Sequence, residues 1–520
     1  MLFNSYEFIF LFCPLTIVFF FLTASKISGK AAIGWLVFAS LFFYGWWNPA
    51  YLILITGSMI FNFGIGSVLG KHEAAQIKNR IILAFGIFVN LALIGYFKYA
   101  NFFIDNLNAV SGSSIHPEPI VLPLAISFFT FQQIAYLADA HKGLTREYSF
   151  LHYALFVTFF PQLIAGPIVH HQEVLPQFAE KKIFSPDYEN MAVGLTMFFF
   201  GLFKKVVFAD GIAAYASPVF SSAQAGTILT FFDAWGGALA YTFQLYFDFS
   251  GYSDMAIGLG RIFGIRLPMN FNSPYKSENI IEFWRRWHIT LSRFLKNYLY
   301  IPLGGNRKGS AGRYANLMIT MLLGGLWHGA GWPFVLWGGL HGMYLIINHA
   351  WQRFRKKYFQ KLTFNHFFSR FLSRLITFCA VVTAWVFFRA ESYEAAVNML
   401  KGMSGYNGTD LPLAVGYALG PLKGVLENAG IAFTLGGGTV FVSTYLWIIF
   451  LGFTAFFMPN TQEIFRNFKP VYHFPLSQEA GSLSCLCWRP SLRWALLSGI
   501  VGAAGILALT QVSEFLYFQF

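Results

Sequence analysis

An all-α, polytopic membrane protein is the fold class this sequence predicts, and three observations predict it. Of the 520 residues, 56% are apolar and only 11% charged, against roughly 25% charged in an ordinary soluble domain. Apolar runs of about 20 residues, the length that crosses a bilayer, recur from 5–24 through to 493–511. Lys and Arg fall in short clusters between those runs, as they do in topology-setting loops. The charge deficit excludes a water-soluble fold. Disorder is excluded by 63 Phe, 25 Tyr and 14 Trp. The net charge of +13 does not signal nucleic acid, because its cations are spread through loops rather than gathered on one surface.

Taken in order, the apolar runs place spans near 5–24, 31–48, 51–69, 81–100, 121–140, 191–209, 227–247, 314–326, 333–351, 371–389, 439–457 and 493–511. The first lacks the basic leader and small-residue cleavage site of a secretory signal, so it is expected to stay as a span. Two further segments, 151–168 and 251–268, are shorter or broken by Pro and Gly. Both are expected to be re-entrant, at membrane depth only where protein surrounds them. Loops carrying Lys26 and Lys30, then Lys71, Lys78 and Arg80, then Lys142 and Arg146, alternate with a 101–120 loop that holds Asp105 and Glu118. By the positive-inside rule the basic loops, including Arg353, Arg355, Lys356, Lys357 and Lys361, face the cytoplasm. The N-terminus and the C-terminus are then both extracytoplasmic. No repeat or linker divides the chain, so residues 1–520 are expected to form one integral-membrane domain.

Cys13, Cys379, Cys485 and Cys487 make no CxxC pair and have no neighbouring ligand cluster; neither a disulfide framework nor a metal site follows. The glycines at 258, 260 and 264 lack the preceding strand and the spacing of a dinucleotide fingerprint.

Residues 278–300, ENIIEFWRRWHITLSRFLKNYLY, read differently from a span. Ile280, Trp284, Trp287, Leu291, Phe294 and Tyr298 recur at steps of three and four, one stripe of an amphipathic helix. Arg285, Arg286, Arg293 and Lys296 fall on another face. Such a helix lies in the interface against lipid phosphates, or presents a cationic surface to an anionic acyl donor; the two readings are compatible. His288 sits at the edge of the apolar stripe and is expected to point inward.

Forty positions on, GGLWHGAGWPFVLWGGLHG places His328 beside Trp327 and among Gly324, Gly325, Gly329 and Gly331, at the break between two apolar runs. An ionisable side chain at membrane depth is costly and defaults to a functional hypothesis. Imidazole is also the group whose ordinary pKa suits proton transfer near neutrality. The glycines are expected to leave room for a channel beside the ring. The structural alternative is that His328, His341 and His349 only bridge helices. Gln132, Gln133, Asp139, Asp248, Ser250, Ser253 and Asp254 also lie in apolar context. They are expected mainly to brace Arg261, Lys204 and Lys205.

The run NFNSPYKSENIIEFWRRWHITLSRFLKNYLYIPLGGNRKG, together with GGLWHGAGWPFVLWGGLHG, resembles the membrane-bound O-acyltransferases. The resemblance is to the bacterial branch that O-acetylates alginate or peptidoglycan. The opening MLFNSYEFIFLFCPL, FFPQLIAGPIVH at 159–170, AWVFFRAES at 384–392 and the terminal EFLYFQF extend it along the whole chain, most specifically over 121–350. The resemblance implies a ring of tilted helices with re-entrant segments and a cytoplasmic amphipathic helix, in a bacterial inner membrane. It implies His328 as general base and His288 as its catalytic companion, orienting or polarising a thioester carbonyl. Arg285, Arg286, Arg293 and Trp327 would hold the donor, acetyl-CoA or an acyl carrier protein. No permanently bound cofactor or metal is expected. A polysaccharide acceptor and an extracytoplasmic SGNH-type acetyltransferase partner are. A transporter or a non-catalytic scaffold for polysaccharide assembly remain the rival readings from other classes.

Overall fold

The structure is a computed structural model and describes all residues except 71–76, 119, 146–148, 308, 359–365, 474–485, 511–515 and 517–520. Lys71, Arg146, Lys361, Cys485 and most of the terminal EFLYFQF motif therefore lie outside the described residues.

The described chain is almost entirely helical, with one short parallel strand pair, Asp410–Pro412 against Ala432–Thr434. Among the described residues, seven helices are long and apolar enough to cross a bilayer: Glu7–Lys26, Ala50–Leu69, Ile77–Ser111, Tyr188–Gln224, Phe367–Arg389, Gly438–Phe457 and Leu492–Thr510. Gly29–Gly45 is shorter but equally apolar. These helices expose side chains such as Ile53, Phe88, Ile449 and Ile500. A soluble protein would not present so much apolar surface; lipid accommodates it.

Two helices differ by being enclosed. Ile126–His141 and Phe231–Ile262 are buried along nearly their whole length. The second corrects the expectation of a span at 227–247 followed by a separate re-entrant 251–268. Asp248, Ser253 and Asp254 do not break the helix, because neighbouring elements satisfy them, and the Ser250 hydroxyl is buried in it without a hydrogen-bond partner among the described residues. Asp248 and Asp210 both pair with Lys205 at 2.6 Å, and Asp254 pairs with Lys204 at 2.6 Å. Arg261 is braced otherwise, by the carbonyl of Phe468 at 3.0 Å and by Glu189 at 3.7 Å. Its partner helix Tyr188–Phe203 lies so close that a Cβ on Gly201 would meet the Gly251 carbonyl at 2.5 Å. The 151–168 segment is indeed interrupted: helix Phe150–Thr158 stops at Phe159, and Phe160–Leu163 forms a separate buried turn.

Several long helices contain a π-helical turn, and each of three such turns presents polar side chains inward. Gly95–Tyr99 carries Lys98, Lys204–Ala209 carries Lys205, and Lys296–Tyr300 carries Tyr298. The extra residue in a π turn shifts the helical phase, so a side chain can face the core where regular spacing would point it elsewhere.

Candidate active site

The amphipathic stripe over 278–300 survives, but not as one helix. Ile280–Arg286, capped by Asn279, ends at Trp287, and Ile289–Leu295 begins after His288. Trp284, Trp287, Leu291 and Phe294 are all buried, so the segment is packed into the protein and only Arg285 and Lys296 are exposed. The break has a specific cause. His288 adopts φ +41°, a left-handed conformation that costs a non-glycine residue about 1–2 kcal/mol. Asn270 holds both sides of it. Its carbonyl accepts the Ile289 N–H at 2.9 Å. Its side-chain oxygen meets His288 Nδ1 at 3.0 Å and accepts the Thr290 hydroxyl at 2.9 Å. Thr290 Oγ1 in turn accepts the Ile168 N–H at 3.0 Å, tying in the AGPIVH stretch.

This network sets the His288 tautomer. Asn270 Nδ2 donates to Ser253 Oγ at 3.2 Å, so Oδ1 is the end that faces Thr290 and His288. His288 Nδ1 therefore carries the proton, and Nε2 presents a lone pair. Among the described residues, that Nε2 has no hydrogen-bond partner. The residue is wholly enclosed, and burial pushes its imidazole down to about 3, keeping it neutral.

His328 is the last residue of helix Gly309–His328, and residues 329–331 separate it from Trp332–Tyr358. Its ring meets Trp327, Trp337 and Phe388 edge-on, at 4.9, 5.0 and 5.2 Å between centroids. The Trp327 indole also approaches His288, at 6.3 Å, so the two imidazoles share one aromatic neighbour. His328 retains 4% of its surface, whereas His288 and His341 retain none. Two of the glycines around it, Gly325 and Gly329, serve packing rather than open space. A Cβ on Gly325 would strike the Phe334 carbonyl and Gly338, and one on Gly329 would strike the Phe334 ring.

His341 lies one aromatic layer further in, 4.9 Å from Trp337. Trp284 Nε1–H donates to its Nδ1 at 3.3 Å. That bond fixes the opposite tautomer from His288, with the proton on Nε2, a donor that has no partner among the described residues. His349 is elsewhere, 2.5 Å from Arg313.

The basic residues separate into two groups. Arg293 makes a two-pronged bond to Glu173, at 2.5 and 2.9 Å. Arg286 is held by Glu282 at 2.8 Å and donates to the Asn272 carbonyl at 3.2 Å. Arg285 is exposed, and among the described residues no carboxylate pairs with it. Trp327, expected at the donor site, is buried, stacks on Phe131 at 5.2 Å and keeps an Nε1–H without a partner among the described residues. From it a file of rings runs outward, Phe131 to Phe294 at 4.2 Å and Phe294 to Tyr298 at 5.0 Å. Tyr298 donates to Asp139 at 2.8 Å beside a half-buried His170.

Sequence reasoning missed Asn270 and Lys98. Asn270 stands inside the NFNSPYK motif but carries no periodic or charge signal of its own. Lys98 had one: it is a lone cation inside the apolar run 81–100.

The family model for membrane-bound O-acyltransferases matches residues 139–387, the stretch that contains Asn270, both bonded imidazoles and His328. A peptidoglycan O-acetyltransferase of Helicobacter pylori is 48% identical over 79% of this chain and 81% of its own. A protein of Pseudomonas putida named probable alginate O-acetylase is 38% identical across 100% of both chains. A teichoic acid D-alanyltransferase of Bacillus subtilis is 28% identical over 54% of this chain and 73% of its own. Relatives 48% and 38% identical, covered over 81% and 100% of their length, together with the family-model match in a polytopic helical chain, identify the protein as an acyltransferase of the membrane-bound O-acyltransferase family.

Proposed function

We propose that this enzyme transfers acetyl groups from a cytoplasmic thioester, acetyl-CoA, toward hydroxyls of an extracytoplasmic polysaccharide, an alginate-like polymer or peptidoglycan, with His328 as general base. The single observation that carries the reading is the buried imidazole cluster. It offers a lone pair at His288 Nε2 and an N–H at His341 Nε2, with both imidazoles linked to His328 through the Trp327 and Trp337 rings.

In the reaction a hydroxyl oxygen bonds to the thioester carbonyl carbon while His328 accepts its proton. The tetrahedral adduct then expels the thiolate, which takes the proton back from the imidazolium. Base catalysis of this kind contributes about 10²–10⁴-fold. A neutral His288 with its proton committed to Asn270 cannot donate to the carbonyl oxygen, so polarising the carbonyl falls to His341 or Trp327, and His288 orients the incoming hydroxyl. Arg285 is the arginine free to meet the donor's phosphates; Arg286 and Arg293 shape its surroundings through their carboxylates. An SGNH-type extracytoplasmic partner completes transfer to the polymer in this reading, and an acyl carrier protein in place of coenzyme A is the variant suggested by likeness to the teichoic acid enzyme.

The test is the O-acetyl content of cell-surface polysaccharide from a strain lacking this gene. Restoration by the wild type and not by His328→Ala supports the reading. Equal restoration by both contradicts it.

A further inference from the structure

Lys98 is a cation within a membrane-crossing helix, Ile77–Ser111, that is 92% hidden from solvent (8% exposed) and, among the described residues, has no carboxylate partner. A charge placed so is held for a reason, and its contacts supply one. Its ammonium donates to the backbone carbonyls of Trp327 and His328, the latter at 3.5 Å, and to Ser127 Oγ at 3.3 Å. Three N–H groups meet three acceptors, so nothing is left to donate to a substrate. The next residue acts alongside it: Tyr99 OH donates to the Leu326 carbonyl at 2.8 Å.

Leu326, Trp327 and His328 are the last three residues of helix Gly309–His328. Their carbonyls are among the four that a helix end leaves without intrahelical partners, and they carry the negative end of its dipole. A cation and a phenol on one element grip three consecutive members of that set. Adjacent residues on a regular helix point about 100° apart; Lys98 and Tyr99 close the π turn Gly95–Tyr99, whose altered phase brings both to the same helix end.

From this geometry we infer that Lys98 and Tyr99 form a positioning clamp that sets the place and orientation of the His328 ring, acting through the helix end rather than on substrate. The inference rests on His328 being the base. The clamp joins three elements, Ile77–Ser111, Ile126–His141 through Ser127, and Gly309–His328, so the N-terminal half of the chain holds the reactive ring of the C-terminal half.

The experiment compares purified wild type, Lys98→Met, Lys98→Arg, Tyr99→Phe, His328→Ala and Lys98→Met/His328→Ala. The readouts are acetyl-CoA turnover and backbone hydrogen exchange at residues 326–331. Displacing a reacting group by about 1 Å costs on the order of 10²-fold. Lys98→Met should therefore lose about 100-fold in kcat with KM for acetyl-CoA little changed, and Lys98→Arg should recover at least about tenfold of that. The double variant should be no slower than His328→Ala, and exchange at 326–331 should accelerate in Lys98→Met. Wild-type kcat in Lys98→Met while His328→Ala is inactive overturns the clamp. So does a double variant slower than His328→Ala, or unchanged exchange. If His328→Ala turns over normally, the base assignment fails, and the exchange data alone decide whether the clamp exists. If Lys98→Met does not fold, Tyr99→Phe with faster exchange at 326–331 supports the clamp, and unchanged exchange there overturns it.

Discussion

Replacing Asn270 with Ala removes one small side chain and strands its two short-range buried donors, besides the longer contact from the Thr290 N–H at 3.4 Å. The side-chain oxygen receives both the His288 Nδ1 proton at 3.0 Å and the Thr290 hydroxyl at 2.9 Å, and no water-facing surface lies nearby because Asn270 and His288 are 0% exposed and Thr290 2%. A buried donor left without its acceptor costs about 1–3 kcal/mol, so two such donors amount to about 2–6 kcal/mol. Ser253→Ala serves as the internal control. It strands one group only, the Asn270 amide that donates to Ser253 at 3.2 Å, and should cost about half as much. Asn270→Asp keeps both acceptor positions and the His288 tautomer, at the expense of a buried charge. Thermal unfolding in detergent, followed by loss of monodisperse protein, should rank wild type above Ser253→Ala and Ser253→Ala above Asn270→Ala. Transfer activity should fall about 10²-fold or more in Asn270→Ala, where the His288 proton is free to change nitrogen, and less in Asn270→Asp. Equal midpoints and equal turnover for Asn270→Ala and Ser253→Ala would refute the argument that Asn270 fixes His288.

Lys205→Met leaves Asp210 and Asp248 buried together without their shared cation, a loss of about 3–5 kcal/mol; adding Asp248→Asn should restore part of the unfolding midpoint, and failure to do so removes the ion triad from the account. Arg285→Gln should raise KM for acetyl-CoA severalfold with little change in stability, since among the described residues no carboxylate holds Arg285. Arg293→Gln should do the reverse, lowering the unfolding midpoint by exposing the loss of the two-pronged Glu173 contact. The two arginines exchanging these phenotypes would show that Arg293, not Arg285, meets the donor.

Much of the architecture was legible because lipid makes the sequence speak plainly: a run such as 51–69 or 439–457 has one physical solution, a helix. The enclosed helices were harder. Phe231–Ile262 runs through the expected boundary between a 227–247 span and a re-entrant 251–268 segment, and Asp248 and Asp254 within it are paired with Lys205 and Lys204, from a helix about fifty residues earlier. Local pattern carries no record of such pairing. His328 stood out because an imidazole beside four glycines at the end of an apolar run has few bland explanations. The interruption at His288 left no local mark, since its stripe of apolar residues is continuous and the left-handed backbone is imposed by Asn270 from outside the segment. The glycines beside His328 are ambiguous for a related reason. Glycines that permit close approach are equally suited to admitting Phe334 and Gly338 as to admitting a substrate.

Release of free coenzyme A from acetyl-CoA by the purified chain, measured with and without an added hydroxyl acceptor, bears most directly on acyl transfer at His328. The account predicts acceptor-dependent thiol release by the wild type, and a loss of about 10²–10⁴-fold in His328→Ala with the protein still folded. Undiminished thiol release by His328→Ala would contradict it.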